Sequence, residues 1–304
     1  MTRLNSEWNS VRGGKRLDHA QLLALADGYL AALLAGKPYD LAWDRRALFT
    51  ENGVPLALGD GAWATVDSLE PYYLRFADAE MQSVGFFRVV RERGNPALYS
   101  ARLTLEDGLI AEAETIVARR RGEEPFPNPD PLLLRPEPVF DEVLDAADRR
   151  PRLRLIAIAD AYFSTLELND GQLFVEFDPR CNRRENGNQT TNNPALSQFG
   201  AEIGMPCVEA FRLGVFRFDD ELRDRRYHLV DEQRGLVFAS AFIDHSARVD
   251  RYHLTDGTER RSMFKTPNSL CMLELFKIVG GRIRQIEAAF VEVPYRTRSP
   301  WSGR

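Results

Sequence analysis

The chain has 304 residues, 44% of them hydrophobic and 28% charged, with a net charge of −5 at pH 7. That balance is ordinary for a folded globular protein of about two domains, and it offers no electrostatic footing for nucleic acid. No apolar run approaches the ~20 residues of a membrane span, so the expected partner is a small molecule, with no nucleic acid and no membrane.

Residues 1–16 are polar and read as an N-terminal arm without the apolar stretch of a signal peptide, which makes a cytoplasmic location the default. Asp18 is a good N-cap, and Leu22, Ala26, Tyr29, Leu30 and Leu33 follow at helical spacing until Gly36-Lys37-Pro38 stops the helix. Phe49 to Leu58 reads as a strand and turn, and Ser68 to Tyr72 as a short helix. Three strand-like runs follow, 84–91, 97–105 and 109–119. They are separated by turn signals at Arg93-Gly94-Asn95-Pro96 and Glu106-Asp107-Gly108. A Pro-rich linker over 123–150 carries a short helix at 141–150. A second helix over 152–168 then buries Leu155, Ile158, Ala159, Tyr162 and Leu166. Strands are expected at 174–182, 227–231, 236–244, 270–279 and 282–293, the last followed by a tail over 294–304.

The second half repeats the first. Leu25-Ala26-Asp27-Gly28-Tyr29 is answered by Ile158-Ala159-Asp160-Ala161-Tyr162, and Glu51-Asn52-Gly53 by Glu185-Asn186-Gly187. Asp107-Gly108-Leu109-Ile110 with Glu114 is matched later by Gly280-Gly281-Arg282-Ile283 with Glu287. A repeat of this length denotes two copies of one domain. The wider spacing in the second half places an insertion there. The domains are therefore expected at 17–122 and 151–293. Each reads as a helix followed by antiparallel strands, an α+β fold with the helix packed on one face of a curved sheet.

On these residues the chain resembles the nuclear transport factor 2-like superfamily, the cone-shaped fold of the SnoaL-like polyketide cyclases and ketosteroid isomerase-like proteins. The carriers are the opening helix with its Asp-x-Tyr, the strand leading to Glu-Asn-Gly, and the closing Gly281-Arg282-Ile283 turn with Glu287. The resemblance implies two tandem cones and a pocket for a small apolar molecule. It leaves the chemistry open among isomerases, dehydratases, cyclases, lignin-dimer lyases and non-catalytic members.

The densest polar cluster begins at Asn182-Arg183-Arg184-Glu185-Asn186. Alternation along a strand puts Arg183 and Glu185 on one face and Arg184 and Asn186 on the other, without saying which face looks inward. The first copy has Leu48, Phe49 and Thr50 where the second has Asn182, Arg183 and Arg184, so the second domain is the candidate seat of chemistry. Among four histidines, His228 lies mid-strand and His245 at a strand end. Expected catalytic residues are His228, Glu185 and Tyr162. Expected substrate-binding residues are Arg183, Arg184, Asn186, Asp160 and His245.

Motifs for phosphate, dinucleotide or metal are absent, and no cofactor and no metal are expected. Cys181, Cys207 and Cys271 are too sparse for a disulfide framework or a zinc site, and suit a reducing compartment. The sequence thus points to a cofactor-independent lyase, dehydratase or isomerase working by acid–base chemistry on an apolar, aromatic molecule in the second cone. The alternative is a non-catalytic binding or scaffold protein of the same fold. A second copy is expected to dock through the sheet faces or the tail, with Trp301 reaching across.

Overall fold

The computed structural model describes residues 16–119 and 134–302; the arm expected before residue 16 and the linker up to residue 133 fall outside them. The chain divides into two compact units, Met1–Arg121 with Asp130–Pro136, and Gly122–Pro129 with Glu137–Arg304.

The first unit opens with helix α1, His19–Ala35. Asp18 accepts from the Gln21 backbone at 2.8 Å while Gln21 reaches back to the Asp18 backbone at 2.9 Å, a reciprocal cap that satisfies two end donors. Gly36, at φ 64°, ends the helix as only a left-handed residue can. The strands are β1 (Trp43–Glu51), β2 (Val54–Pro55), β3 (Val66–Asp78), β4 (Ser83–Glu92), β5 (Asn95–Glu106) and β6 (Leu109–Arg119). They form one sheet in the order β2-β1-β6-β5-β4-β3, with β1 parallel to β6 and the other pairs antiparallel. The helix lays Leu22, Ala26, Tyr29 and Leu33 on the face that carries Phe49, Phe86 and Tyr99. The short helix expected at 68–72 is instead part of β3. That strand lies at the sheet edge, where Pro71 needs no ladder donor, and a register shift between Leu69 and Tyr73 absorbs it.

The second unit repeats the plan with helix α2 (Arg152–Leu168), then β7 (Phe177–Glu185), β8 (Asn188–Gln189), helix α3 (Cys207–Leu213), β9 (Glu221–Asp231) and β10 (Leu236–His245). A hairpin of β11 (Arg251–His253) and β12 (Glu259–Arg261) precedes β13 (Asn268–Val279) and β14 (Arg282–Pro294). The sheet order is β8-β7-β14-β13-β10-β9, again with one parallel pair, β7 beside β14. The fold is thus α+β in both halves, each a long helix on a curved six-stranded sheet. The helix expected at 141–150 does not form. Its backbone is committed elsewhere, Leu144 N–H to the Gln233 carbonyl and Asp148 N–H to that of Asp145. The insertion comprises α3, the β11–β12 hairpin and short turns around them. Among the described residues no helix is long and apolar enough to cross a membrane.

Two repeated motifs have the same local cause in both copies. Asn52-Gly53 and Asn186-Gly187 are tight turns with positive φ at both residues, the type I′ geometry that Asn-Gly favours. Each asparagine then grips the parallel neighbour. Asn52 Oδ1 accepts from Val117 N–H at 2.8 Å, and Asn186 Oδ1 from Phe290 N–H at 2.9 Å, while Asn186 Nδ2 donates to the Phe290 carbonyl at 3.0 Å. Likewise Tyr73 donates to Asp27 at 2.8 Å and Tyr227 to Asp160 at 2.6 Å, each carboxylate also meeting an arginine, Arg75 or Arg225. These are clamps between the long helix and the edge strand β3 or β9.

The reading of three unpaired cysteines is corrected: Cys181 and Cys207 form a disulfide, and buried Cys271 stands outside it. Nothing in their sequence spacing signals the pair, because the insertion folds back on β7. The described tail packs on its own unit, with Trp301 buried beneath the Arg226 guanidinium and the Thr297 carbonyl accepting from Arg223. Asn186→Ala removes two hydrogen bonds and leaves a non-glycine residue at positive φ, and should cost about 2 kcal/mol of stability. Urea denaturation measures it, and Asn52→Ala should behave alike.

Candidate functional site

Strand register decides which residues share the helix-covered face of the second sheet. Glu185 pairs with Ala288, Ala288 with Glu274, and Glu274 with Ala239, one row across four strands. The matching row of the first unit is Glu51, Thr115, Ala101 and Phe86. One row further along, Arg183 stands opposite Ile286 where the first copy has Phe49 opposite Ala113. Where the second interior carries Arg183 and a second carboxyl group, Glu274, the first has Phe49 and Ala101.

Arg183 is 3% exposed and is held by charge and by rings. Its guanidinium donates to Glu185 Oε1 at 2.6 Å. It lies 5.1 Å from the Phe211 ring centroid, 5.0 Å from Phe216 and 5.9 Å from Tyr162, within cation–π range. Burial opposes its charge, but Glu185 and Tyr162 more than offset this and hold its pKa above the usual arginine value. Tyr162 is fully buried among Phe163, Phe177, Phe211 and Phe276, which drives its hydroxyl pKa well above 10. Glu274 is 1% exposed; burial lifts its carboxyl to about 8, Arg183 opposing and Glu185 reinforcing the shift. It is therefore neutral at pH 7, a donor rather than a base. The Tyr162 hydroxyl interacts with both the Arg183 guanidinium and the Glu274 carboxyl, but Tyr162 OH, Arg183 Nε and Glu274 Oε2 lack the distance and angle of a full hydrogen bond.

Beside them lies a proton-sharing pair. His245 Nε2 meets Asp219 Oδ1 at 2.9 Å, and Nδ1 meets Asn268 Oδ1 at 3.1 Å. Asn268 Nδ2 donates to the Thr266 carbonyl, so its oxygen faces the imidazole and Nδ1 must carry hydrogen. One proton is left between Nε2 and Asp219. Burial raises the Asp219 pKa, with the His245 hydrogen bond and then Arg183 pulling the other way. Phe264 stacks on the imidazole at 3.8 Å and Phe218 lies at 6.0 Å.

Of the residues singled out from sequence, Arg183, Glu185, Tyr162 and His245 share this interior. The other four do not. Arg184 points to the opposite sheet face and pairs with Glu137 and Glu287. His228 is on that face too, its Nε2 hydrogen-bonded to Ser240 at 2.8 Å, because Tyr227 takes the helix-facing position. Asp160, with its side chain 49% exposed, is committed to the Tyr227–Arg225 clamp, and Asn186 to the turn. Glu274 and Asp219 were missed. Glu274 carried a signal: it breaks the apolar alternation Met272, Phe276, Ile278 on one strand face. Asp219 carried none, since its role depends on how the insertion returns to the sheet. A separate cavity in the first unit, about 20 Å³ and lined by Leu17, Leu25, Leu41, Ala42, Leu105, Gly108 and Ile110, is apolar and holds at most one water.

Comparison with known proteins adds little beyond fold. Residues 148–290 match a family described as "Domain of unknown function (DUF8021)", a span that covers most of the second unit and leaves the first unmatched. No curated protein matches the sequence. Among solved structures the chain is similar to an NTF2-like protein from Cytophaga hutchinsonii, at 11% identity and TM-score 0.28, over 47% of this chain and 99% of that one. A likeness at that level says nothing of chemistry, and the fold described above stands on strand order and pairing.

The Glu274 shift fixes the sign of a pH effect. Its folded pKa is raised, so the stabilisation is complete below the unfolded value near 4.5 and is lost as pH rises toward about 8. Between pH 5 and 8.5 the melting temperature of the wild type should fall more steeply than that of Glu274→Gln. Parallel slopes in a melting series would contradict the assignment.

Proposed function

We propose that the second unit is a cofactor-independent lyase, dehydratase or isomerase that moves a proton next to a carbonyl or similar oxygen on an apolar, aromatic molecule, lignin-dimer-type compounds among the candidates. The observation that supports it is the convergence of three buried polar groups from three elements, Tyr162 on α2, Arg183 on β7 and Glu274 on β13, that meet at the Tyr162 hydroxyl without a fully formed hydrogen bond. Buried polar atoms without well-formed hydrogen bonds are costly, and each of these three groups can donate at neutral pH. An acceptor oxygen of a ligand would satisfy them together.

In this reading the substrate oxygen accepts from Arg183 Nε, Tyr162 and the neutral Glu274 carboxyl, which stabilise the charge that develops there. Glu185, half-buried beside Arg183, takes the proton from the adjacent carbon. The C–H electron pair moves into the carbon skeleton and charge accumulates on the oxygen. Return of the proton to a different carbon completes an isomerisation; loss of a leaving group from the neighbouring carbon completes an elimination. The proton shared by Asp219 and His245 supplies the acid for that leaving group. Phe216, Phe218 and Phe264 are partly exposed and offer ring faces to an aromatic substrate. A cytoplasmic location remains part of the proposal.

The second reading, a binding domain without turnover, draws on the same site. Its interior is closely packed about Tyr162, with Phe276 at 5.1 Å and Phe211 at 5.5 Å.

Deuterium exchange at the methyl group of 2-acetylnaphthalene in D2O, followed by proton NMR, separates the two. Wild-type protein should accelerate exchange over buffer. Glu185→Gln should lose about 10²-fold or more of that acceleration, whereas His228→Ala should stay within about twofold, the spread expected of a group outside the site. Binding of the ketone without exchange would favour the second reading. Neither binding nor exchange across a panel of aromatic ketones, aldehydes and benzylic alcohols would end the enzyme proposal.

A further inference from the structure

The Cys181–Cys207 disulfide sits where it governs the site just described. Cys181 is on β7 two residues before Arg183 and shares its sheet face, so sulfur and guanidinium project from one strand into one interior. Cys207 is the first residue of α3, and this seven-residue helix delivers Phe211 onto the Arg183 guanidinium. Phe211 also stacks on Phe177 at 5.1 Å and meets Tyr162 at 5.5 Å.

The two ends of α3 are fastened differently. At the C-terminal end, Asn169 Nδ2 donates to the Phe211 carbonyl at 3.5 Å, Thr255 N–H to the Leu213 carbonyl at 3.0 Å, and the Thr255 hydroxyl to the Arg212 carbonyl at 2.8 Å. At the N-terminal end the disulfide is the covalent anchor, beside two backbone hydrogen bonds just before it, Asn192 N–H to the Met205 carbonyl and Asn193 N–H to the Ile203 carbonyl, both 2.8 Å. The residues before it are two short turns, 194–199 and 201–204, that bury only Ile203. A helix this short has little stability of its own, so its placement depends on what fastens it.

We propose that the Cys181–Cys207 disulfide is a redox lock on the ligand site, oxidised for binding and reduced for release. This rests on the reading of Arg183, Tyr162 and Glu274 as the ligand site. A dithiol reductant transfers two electrons and two protons, the S–S bond breaks, two cysteine thiols form, and the dithiol leaves as its own disulfide. The N-terminal end of α3 then detaches from β7, Phe211 leaves the guanidinium, and the enclosed site opens to water. Disulfides in reducing compartments are chiefly transient or redox-sensing ones, so the pairing is compatible with a cytoplasmic location. Both sulfurs are buried, so reduction needs a local opening of α3 and its rate reports that opening.

The test uses the full chain, before and after dithiothreitol, with Cys271→Ser as a control and Cys181→Ala/Cys207→Ala as a permanently unlocked variant. Alkylation under denaturing conditions without reductant should label one cysteine, and three after reduction. Hydrogen exchange of amides 208–213 should quicken at least tenfold on reduction while α2 and β13 stay protected, and affinity for 2-acetylnaphthalene should drop about tenfold. Cys271→Ser should change neither. Three labelled cysteines in unreduced, aerobically purified protein would overturn the proposal. So would unchanged exchange at 208–213 after reduction, or exchange that quickens while affinity stays constant. If exchange responds but the ketone binds neither form, the lock stands as a structural device and it is the assignment of the ligand site that fails.

Discussion

A guanidinium buried among phenyl rings is the constraint around which the second unit is organised. Taking such a charge out of water costs several kcal/mol unless something replaces the hydration. Arg183 recovers part of this from Glu185 and part from the faces of Phe211, Phe216 and Tyr162. Its neighbours then follow. Glu274 keeps its proton because burial, reinforced by Glu185, outweighs the pull of Arg183, and Asp219, equally buried, is hydrogen-bonded to His245. The insertion is needed as well, since it brings Phe211, Phe216 and Asp219 to a site that the basic helix-and-sheet plan leaves uncovered.

The first unit shows the same scaffold without that constraint. Phe49 and Ala101 stand where Arg183 and Glu274 do. Tyr29, the counterpart of Tyr162, has its hydroxyl at 3.0 Å from that of Tyr99. The Tyr29 hydroxyl is thus satisfied within its own interior, whereas the Tyr162 hydroxyl has no fully formed hydrogen bond. Arg183 and Glu274, buried beside the helix tyrosine in the second copy and replaced by Phe49 and Ala101 in the first, are the clearest asymmetry between the two interiors.

Much of this was legible in the residues. The repeat, both long helices and the hairpin strands followed from capping, periodicity and Asn-Gly or Asp-Gly turns, because those signals are local. The short helices expected at 68–72 and 141–150 failed where longer-range pairing won, an edge strand in one case and backbone bonds to Gln233 and Asp145 in the other. The site divided along the same line. Arg183 and Glu185 could be placed on one strand face by alternation, but which face looked inward depended on pairing with Ile286 and Ala288. His228 was attractive as a mid-strand histidine, yet Tyr227 owned the inward position through its bond to Asp160. The disulfide and Asp219 depend on how the insertion folds back, and no local pattern encodes that.

The twin clamps give the chain a property that single-copy domains lack. Asp27 with Tyr73 and Asp160 with Tyr227 hold equivalent helices to equivalent strands, as Asn52 and Asn186 hold equivalent turns. Each half is therefore an internal reference for the other under identical solvent, temperature and concentration. A spectroscopic change that appears at both members of a clamp reports on the medium. One confined to the second member reports on the chemistry of its own interior, so the first copy serves as a built-in blank.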